Sequence, residues 1–399
     1  MKLNAKKKVK IGLIGLGAIG AGTYVPILKN NEQVEVVGVC DTVKEKADQY
    51  AAELKTKAYY NYLDLFDRSG LEAVIIGVPH YDHTPISIEA FKRGLHVLCE
   101  KPIAVHVNDA KKMIAAYEEA KTKQPDLIFG LMFQERTLPF HKKIKDILDG
   151  GELGKLIRTT WINTKWFRSQ LYYDSGDWRA TWAGEGGGIL TNQCPHNLDL
   201  YQWLFGLPSS VHGFAHIGKY HHIEVEDEVT AYFEHENGMV GHFIVTTAET
   251  PGTNRFEIVG EYGKLVYENE QLLFYRNRSS MLKFIQESET KFGKLESWYT
   301  EIPVQLNIPH NHPYVFEKFI SAIHSGEQEL VARGPEGING VTLANAIMLS
   351  SFTKQTVELP LDADAYEVKL NELIQSSKYV KAKSDVQVTE DMSSSFSKA

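Results

Sequence analysis

The sequence predicts an α/β protein in two parts: a doubly wound parallel sheet, then an α+β domain built on an open, mostly antiparallel sheet. Three observations carry this. A glycine-rich turn joins an early apolar run to a helical pattern; apolar runs then alternate with helical patterns as far as Phe133; beyond Gly154 the texture changes to alternating strands joined by hairpin signals.

Size and composition agree. The chain has 399 residues, 43% hydrophobic and 24% charged, enough for two domains with substantial cores. Its net charge is −8 and its one basic run is Lys6-Lys7-Lys8, so no nucleic-acid partner is expected. Cys40, Cys99 and Cys194 form no CxxC pair, which suits a reducing compartment. The basic residues before Ile11 imitate a secretory signal, but the apolar stretch after them is broken by glycines. No other stretch approaches the roughly 18 apolar residues of a membrane span. A cytoplasmic protein without a membrane partner is expected.

Val9 to Leu16 has strand character and runs into Gly15-Leu16-Gly17-Ala18-Ile19-Gly20, followed by a helix carrying Tyr24, Ile27 and Leu28. In that setting GxGxxG reads as a dinucleotide-binding turn. Gly15 permits the turn, Gly17 lets a pyrophosphate approach, and Gly20 lets the helix pack. Free N–H groups of the helix start, at Ala18 and Ile19, would meet the phosphates. The next strand, Val34 to Val39, ends at Asp41, whose carboxylate suits the adenosine ribose hydroxyls and repels a 2′-phosphate; NAD is expected.

The alternation continues through a helix at Val43–Leu54, a strand at Ala73–Val78 and a helix around Ile86, Ala90 and Phe91. A strand at Leu95–Cys99, a helix around Met113 and Tyr117, and a strand at Leu127–Phe133 follow. Ligands of such sheets sit at the carboxyl ends of the strands, where Pro79, His83, Glu100 and Lys101 fall. A lysine there can hydrogen-bond a substrate hydroxyl, and burial would lower its pKa. Tyr117-Glu118-Glu119-Ala120-Lys121 matches YxxxK but continues an amphipathic helix.

A helix over Leu138–Leu148 precedes the glycines that mark the boundary. Leu156–Trp166 alternates like a half-buried strand; Val229–Phe233 and Val240–Val245 flank Asn237-Gly238; Phe256–Val259 and Leu265–Tyr267 flank Gly263. Helices are expected after His312, over Leu343–Phe352 and over Ala365–Ile374. The boundaries are 1–134 for the first domain, 135–380 for the second, and 381–399 for a disordered tail.

Two stretches of the second half carry chemistry. Trp166, Arg168, Tyr172, Tyr173 and Trp178 offer aromatic faces and cations suited to a sugar ring. Gly186-Gly187-Gly188 lets backbone pass close to something bulky, and Asn192 and His196, four apart, would share one face of a helical turn. His196 at a helix start can exchange a proton near neutral pH. His310, His312 and His221-His222 show no ligand spacing, so no metal is expected.

GLIGLGAIG, GLHVLCEKPIA around Lys101, GGGILTNQCPHNLDL, VEDEVTAYFEHENGMVG and NRFEIVGEYGKL, in that order, resemble the Gfo/Idh/MocA family of dinucleotide-dependent oxidoreductases. The resemblance spans Val9 to about Lys378. It implies an N-terminal Rossmann domain, a C-terminal α+β domain, and oxidation or reduction of a sugar or cyclitol. It places the family's lysine at Lys101, in a Lys101–Pro102 peptide of cis form, and its histidine at His196. Members commonly carry aspartate where this chain has Asn192, which weakens a carboxylate–histidine relay but leaves an amide able to orient the ring. Catalytic roles are therefore expected at Lys101, His196 and Asn192, and cofactor contacts at Gly15, Gly17, Ala18, Ile19, Gly20, Asp41, Pro79, His83, Glu100 and Lys101. Substrate contacts are expected at Lys101, Trp166, Arg168, Tyr172, Tyr173, Trp178, Asn192 and His196. The resemblance favours an NAD-dependent dehydrogenase of a sugar, glycoside (C3 of a glucoside included) or cyclitol, working as a homodimer or tetramer. A glycosidase that oxidises C3 transiently is the alternative. A non-catalytic NAD sensor would need neither Lys101 nor His196.

Overall fold

Buried apolar runs become the first sheet because each must bury both faces. In the computed structural model, which describes residues 7–68 and 70–381, these runs are β1 (Val9–Ile14), β2 (Val34–Cys40), β3 (Ala58–Tyr59), β4 (Ala73–Ile76), β5 (His96–Cys99) and β6 (Phe129–Leu131). They form one parallel sheet in the order 3-2-1-4-5-6. Connecting helices are α1 (Val25–Lys29), entered through a π-helical turn at Gly20–Tyr24, α2 (Lys44–Leu54), α3 (Tyr62–Phe66), α4 (His80–Lys92) and α5 (Val107–Lys123). Period-two alternation divides the strand side chains between two cores. Ile14, Val74, Ile76 and Val97 pack under α4 and α5, while Ile11, Leu13 and Ile75 pack under α1 and α2. The short β3 and α3 had no clear periodicity in the sequence.

After α6 (Pro139–Asp149) the chain builds a nine-stranded sheet. Its members are β7 (Leu156–Asn163), β8 (Ser210–Ile217), β9 (Glu226–Glu234), β10 (Val240–Thr246), β11 (Asn254–Gly260), β12 (Gly263–Glu268), β13 (Gln271–Asn277), β14 (Ser297–Glu301) and β15 (Val357–Glu358). Only β7 and β10 run parallel; every other neighbouring pair is antiparallel. Trp161, Phe243 and Phe256 point to the covered face, where Trp161 stacks on Phe256 at 4.3 Å between ring centroids. Short α7 (Gln170–Asp174) and then α8 (Pro195–Phe205) follow β7, α9 (Met281–Glu287) follows β13, and α10 (Asn311–Ser325), α11 (Gly337–Thr353) and α12 (Ala363–Ser376) end the described chain. Strand β8 escaped the sequence reading because Gly213 breaks its alternation. A Cβ there would lie 2.4 Å from the Ile347 carbonyl of α11, so helix packing accounts for the glycine.

One helix crosses the expected boundary. Val315, Phe316, Phe319 and Ile320 of α10 share a buried cluster with Leu98 of β5 and with Ile128 and Met132 on either side of β6, and α10 touches β5, although 135–380 assigned the helix to the second domain. Apolar area beside β5 that α1 and α2 do not reach takes an amphipathic helix from late in the chain. Of the segment read as a tail, Lys381 is placed, its Nζ donating to the carbonyls of Gly176 and Arg179; residues 382–399 lie outside the described residues. Among the described residues no helix is long and apolar enough to cross a membrane.

Candidate active site

Three glycines of the first turn differ in what surrounds them. Gly15 has φ +89°, and a Cβ would lie 2.3 Å from the Gly77 carbonyl oxygen; at Gly20 it would lie 1.9 Å from that of Gly15. At Gly17 nothing stands within 4 Å. Gly15 and Gly20 serve the fold, while Gly17 opens a cradle at the helix start beside Ala18 and Ile19, where a pyrophosphate fits. Asp41, just past β2, has Oδ2 accepting from the Leu16 N–H at 2.8 Å and Oδ1 from the Val43 N–H at 2.8 Å. The carboxylate thus lies against the turn, where a ribose would follow the pyrophosphate. Half-buried Pro79 precedes α4 at the end of β4.

His83 is fully buried, with Nδ1 2.7 Å from the Pro102 carbonyl and Nε2 2.9 Å from that of Val78. Both nitrogens face backbone oxygens, so His83 clamps the lysine loop to the end of β4 instead of touching a cofactor. The Lys101–Pro102 bond is cis. Glu100 is buried, its Oε1 accepting from the Tyr24 hydroxyl at 2.8 Å, with His312 Nε2 at 3.7 Å.

Lys101 reaches out of this loop, and its Nζ donates to the Asn192 carbonyl at 2.8 Å. Burial lowers its pKa, Arg179 adds to the effect, and Glu100 and Glu185 oppose it. His196 lies in the first turn of α8, behind Pro195, and is buried. Burial holds its imidazole well below the usual histidine range, and Lys101, His312 and His141 push the same way. Its Nε2 is 3.1 Å from Gln134 Nε2, and its buried Nδ1 has no protein partner. An amide nitrogen donates, so in this arrangement Nε2 accepts and the hydrogen of the neutral ring sits on Nδ1.

Asn192 does not orient that ring. It sits in the turn before α8 begins, so the helical four-residue spacing does not apply, and its Nδ2 donates to Glu185 Oε1 while Oδ1 faces the Tyr172 hydroxyl at 3.4 Å. Gln134, at the carboxyl end of β6, is the side chain beside His196. Strand-end position could have singled it out; Glu185, one residue before the glycines, gave no signal of its own.

The glycine triplet also has a different cause. A Cβ at Gly186 would lie 2.1 Å from Val105 Cγ1, and one at Gly188 would lie 2.0 Å from the Glu226 carbonyl oxygen. Glu226, fully buried at the start of β9, accepts from the N–H groups of Gly188 at 2.8 Å and Leu190 at 3.0 Å. The triplet therefore admits protein, and the Glu226 clasp fixes the turns that lead to Asn192.

Among the aromatic residues, Tyr173 is wholly buried and its hydroxyl donates to Thr247 Oγ1 at 2.8 Å; it belongs to the core and meets no substrate. Tyr172 is half-buried, and its hydroxyl accepts from Arg179 Nη1 at 2.9 Å and Gln193 Nε2 at 3.1 Å. The Arg168 guanidinium lies 5.0 Å from the Tyr172 ring and 5.8 Å from that of Trp166. Trp178 meets His80 edge-on at 5.3 Å, and His80 Nδ1 is 3.2 Å from the Glu185 carbonyl oxygen. Tyr172, Trp178 and Arg168 thus stand around Asn192 and Glu185.

Comparison with known proteins agrees with this geometry. Residues 9–124 match an oxidoreductase family with an NAD-binding Rossmann fold, and residues 141–266 match the GFO/IDH/MocA C-terminal domain. Inositol 2-dehydrogenase of Salmonella typhimurium is 33% identical over 151 residues, 37% of this chain and 43% of its own length. The 1,5-anhydro-D-fructose reductase of Ensifer adhaerens is 23% identical over 87% of this chain and 98% of its own. The WlbA dehydrogenase of Bordetella pertussis, solved with NADH and UDP-GlcNAcA, superposes with a TM-score of 0.73 at 25% identity, covering 89% of this chain and 100% of its own. Matches over both halves of the sequence place the chain in the Gfo/Idh/MocA family of NAD-binding oxidoreductases.

Proposed function

We propose that this protein is an NAD-dependent dehydrogenase of a secondary hydroxyl on a sugar, glycoside or cyclitol. One observation supports the reading: Lys101 Nζ, at the end of β5, holds the Asn192 carbonyl four residues before buried His196, whose imidazole its charge helps to keep neutral. NAD would be held by the Gly15–Gly20 turn and Asp41, and when bound it supplies the hydride acceptor for the carbinol carbon.

The chain's own residues handle the proton. Lys101 Nζ donates a hydrogen bond to the reacting oxygen, and with the Gln134 amide turned so that its Oε1 accepts the Nε2 hydrogen, His196 Nδ1 is the lone pair that accepts its proton. Tyr172 and Trp178 supply apolar faces for ring C–H groups, and Arg168 lines the rim. Relatives named for inositol, 1,5-anhydro-D-fructose and levoglucosan support a polyhydroxylated ring as substrate. The outward face of the second sheet carries half-exposed Ile162 and Ile244 with exposed Phe214, which supports self-association as a dimer or tetramer, measurable by light scattering.

The test is NAD+ reduction over a panel of glucosides, anhydro sugars and inositols. One or more should give NADH, and Lys101→Met should lower turnover by about 10²–10⁴-fold with little change in NAD affinity. Aglycone release without accumulating NADH would indicate the glycosidase instead. Asp41→Ala should weaken NAD and narrow its preference over NADP.

A further inference from the structure

We propose that Glu185 is a positioning residue: it locks the Asn192 amide so that the cleft receives only the amide's oxygen, an acceptor for a substrate hydroxyl. The inference rests on the dehydrogenase reading for its substrate, though not for its geometry.

An asparagine side chain has two donors on nitrogen and one acceptor oxygen, and turning it over exchanges them. Here Nδ2 donates to Glu185 Oε1. Glu185 cannot yield, being 2% exposed with Oε2 accepting from the Ala180 N–H at 2.7 Å. A turned amide would set oxygen against carboxylate oxygen. The backbone of Asn192 is held as well, its N–H donating to the Gly188 carbonyl at 2.9 Å and its carbonyl accepting from Lys101 Nζ at 2.8 Å. Oδ1, on the residue whose backbone carbonyl holds the lysine, accepts from the Tyr172 hydroxyl at 3.4 Å and keeps a second lone pair for a substrate hydroxyl. A cleft with a donor at Lys101 and an acceptor at Asn192 fits a vicinal diol: one oxygen accepts from the lysine while the neighbouring hydroxyl donates to the amide. The pairing also gives a reason for asparagine here, since an aspartate would face Glu185 carboxylate to carboxylate and one of them would have to keep a proton.

The experiment is a double-mutant cycle on Glu185→Gln and Asn192→Asp, read in two ways. In Glu185→Gln the new NH2 faces residue 192 and turns the amide over, so KM for the sugar should rise about ten- to a hundredfold while NAD affinity holds. Adding Asn192→Asp restores an acceptor and should return KM to within a few-fold. Without any substrate, Asn192→Asp alone should lower the melting temperature, and adding Glu185→Gln should recover it. If Glu185→Gln does not fold, rescue of folding in the double variant replaces the first reading. Additive losses in melting temperature, or a double variant no better than the worse single one, would overturn the proposal. If no sugar or cyclitol is turned over, the dehydrogenase reading fails, and the melting cycle still decides the role of Glu185.

Discussion

His196 owes its chemistry to neighbours that lie far away in the chain. Its folded pKa is depressed by burial, so the stability tied to its neutral form is present above the ordinary histidine value and is lost as pH falls through the lower folded value. The same direction sets activity: the acidic limb of kcat/KM for oxidation should fall below the usual histidine range. Gln134→Glu puts a carboxylate against Nε2, which should raise the pKa and move that limb to higher pH; His196→Ala should remove the limb and most of the activity. Asn192→Asp, which a sequence reading would choose for this purpose, acts first on Glu185. An unmoved limb in Gln134→Glu would leave Lys101 as the proton acceptor. The places of Lys101 just past a strand end and of His196 in the first turn of a helix were legible, because strand ends and helix starts announce themselves in sequence. Gln134 and Glu185 were not, since their partners come from tertiary packing and a buried glutamate looks like any other until the fold encloses it.

Glycine spacing told a turn from a strand, yet it could not tell which glycines serve a ligand. Gly17→Ala adds a methyl group in open space, so it should weaken NAD while leaving the melting temperature nearly unchanged. Gly20→Ala drives a methyl into the Gly15 carbonyl and should destabilise the fold whether or not cofactor is present. The two can be separated by thermal unfolding with and without NAD. The Glu226 clasp behaves differently again. Burial pushes that carboxyl up to about 7 against the pull of the Gly188 and Leu190 N–H groups. A folded pKa above the unfolded value means its contribution is lost as pH rises through about 7. Glu226→Gln, which does not titrate, should therefore lie further below the unaltered protein in melting temperature at pH 5.5 than at pH 8.5. Of the second sheet, hairpins with Asn-Gly or Gly turns were legible. Strands β13 and β14 were not, because the exposed edge strand β14 has no buried face to impose an alternating pattern.

On the scale of the whole molecule, α10 ties the chain's later half to its first sheet. Phe316→Ala or Phe319→Ala should cost about 3–5 kcal/mol in urea unfolding, and the NAD-binding half should lose protection from hydrogen exchange with it. A chain cut at residue 134 should not hold a stable sheet, a result circular dichroism would show. That tie has a consequence during translation. The β5 side of one face of the first sheet stays bare until α10 has emerged from the ribosome, and at about 5–20 residues per second that wait lasts on the order of ten seconds or more. The nascent dinucleotide-binding half is therefore a client for a chaperone that shields apolar surface, and a premature stop before α10 should yield an insoluble product where one after it need not.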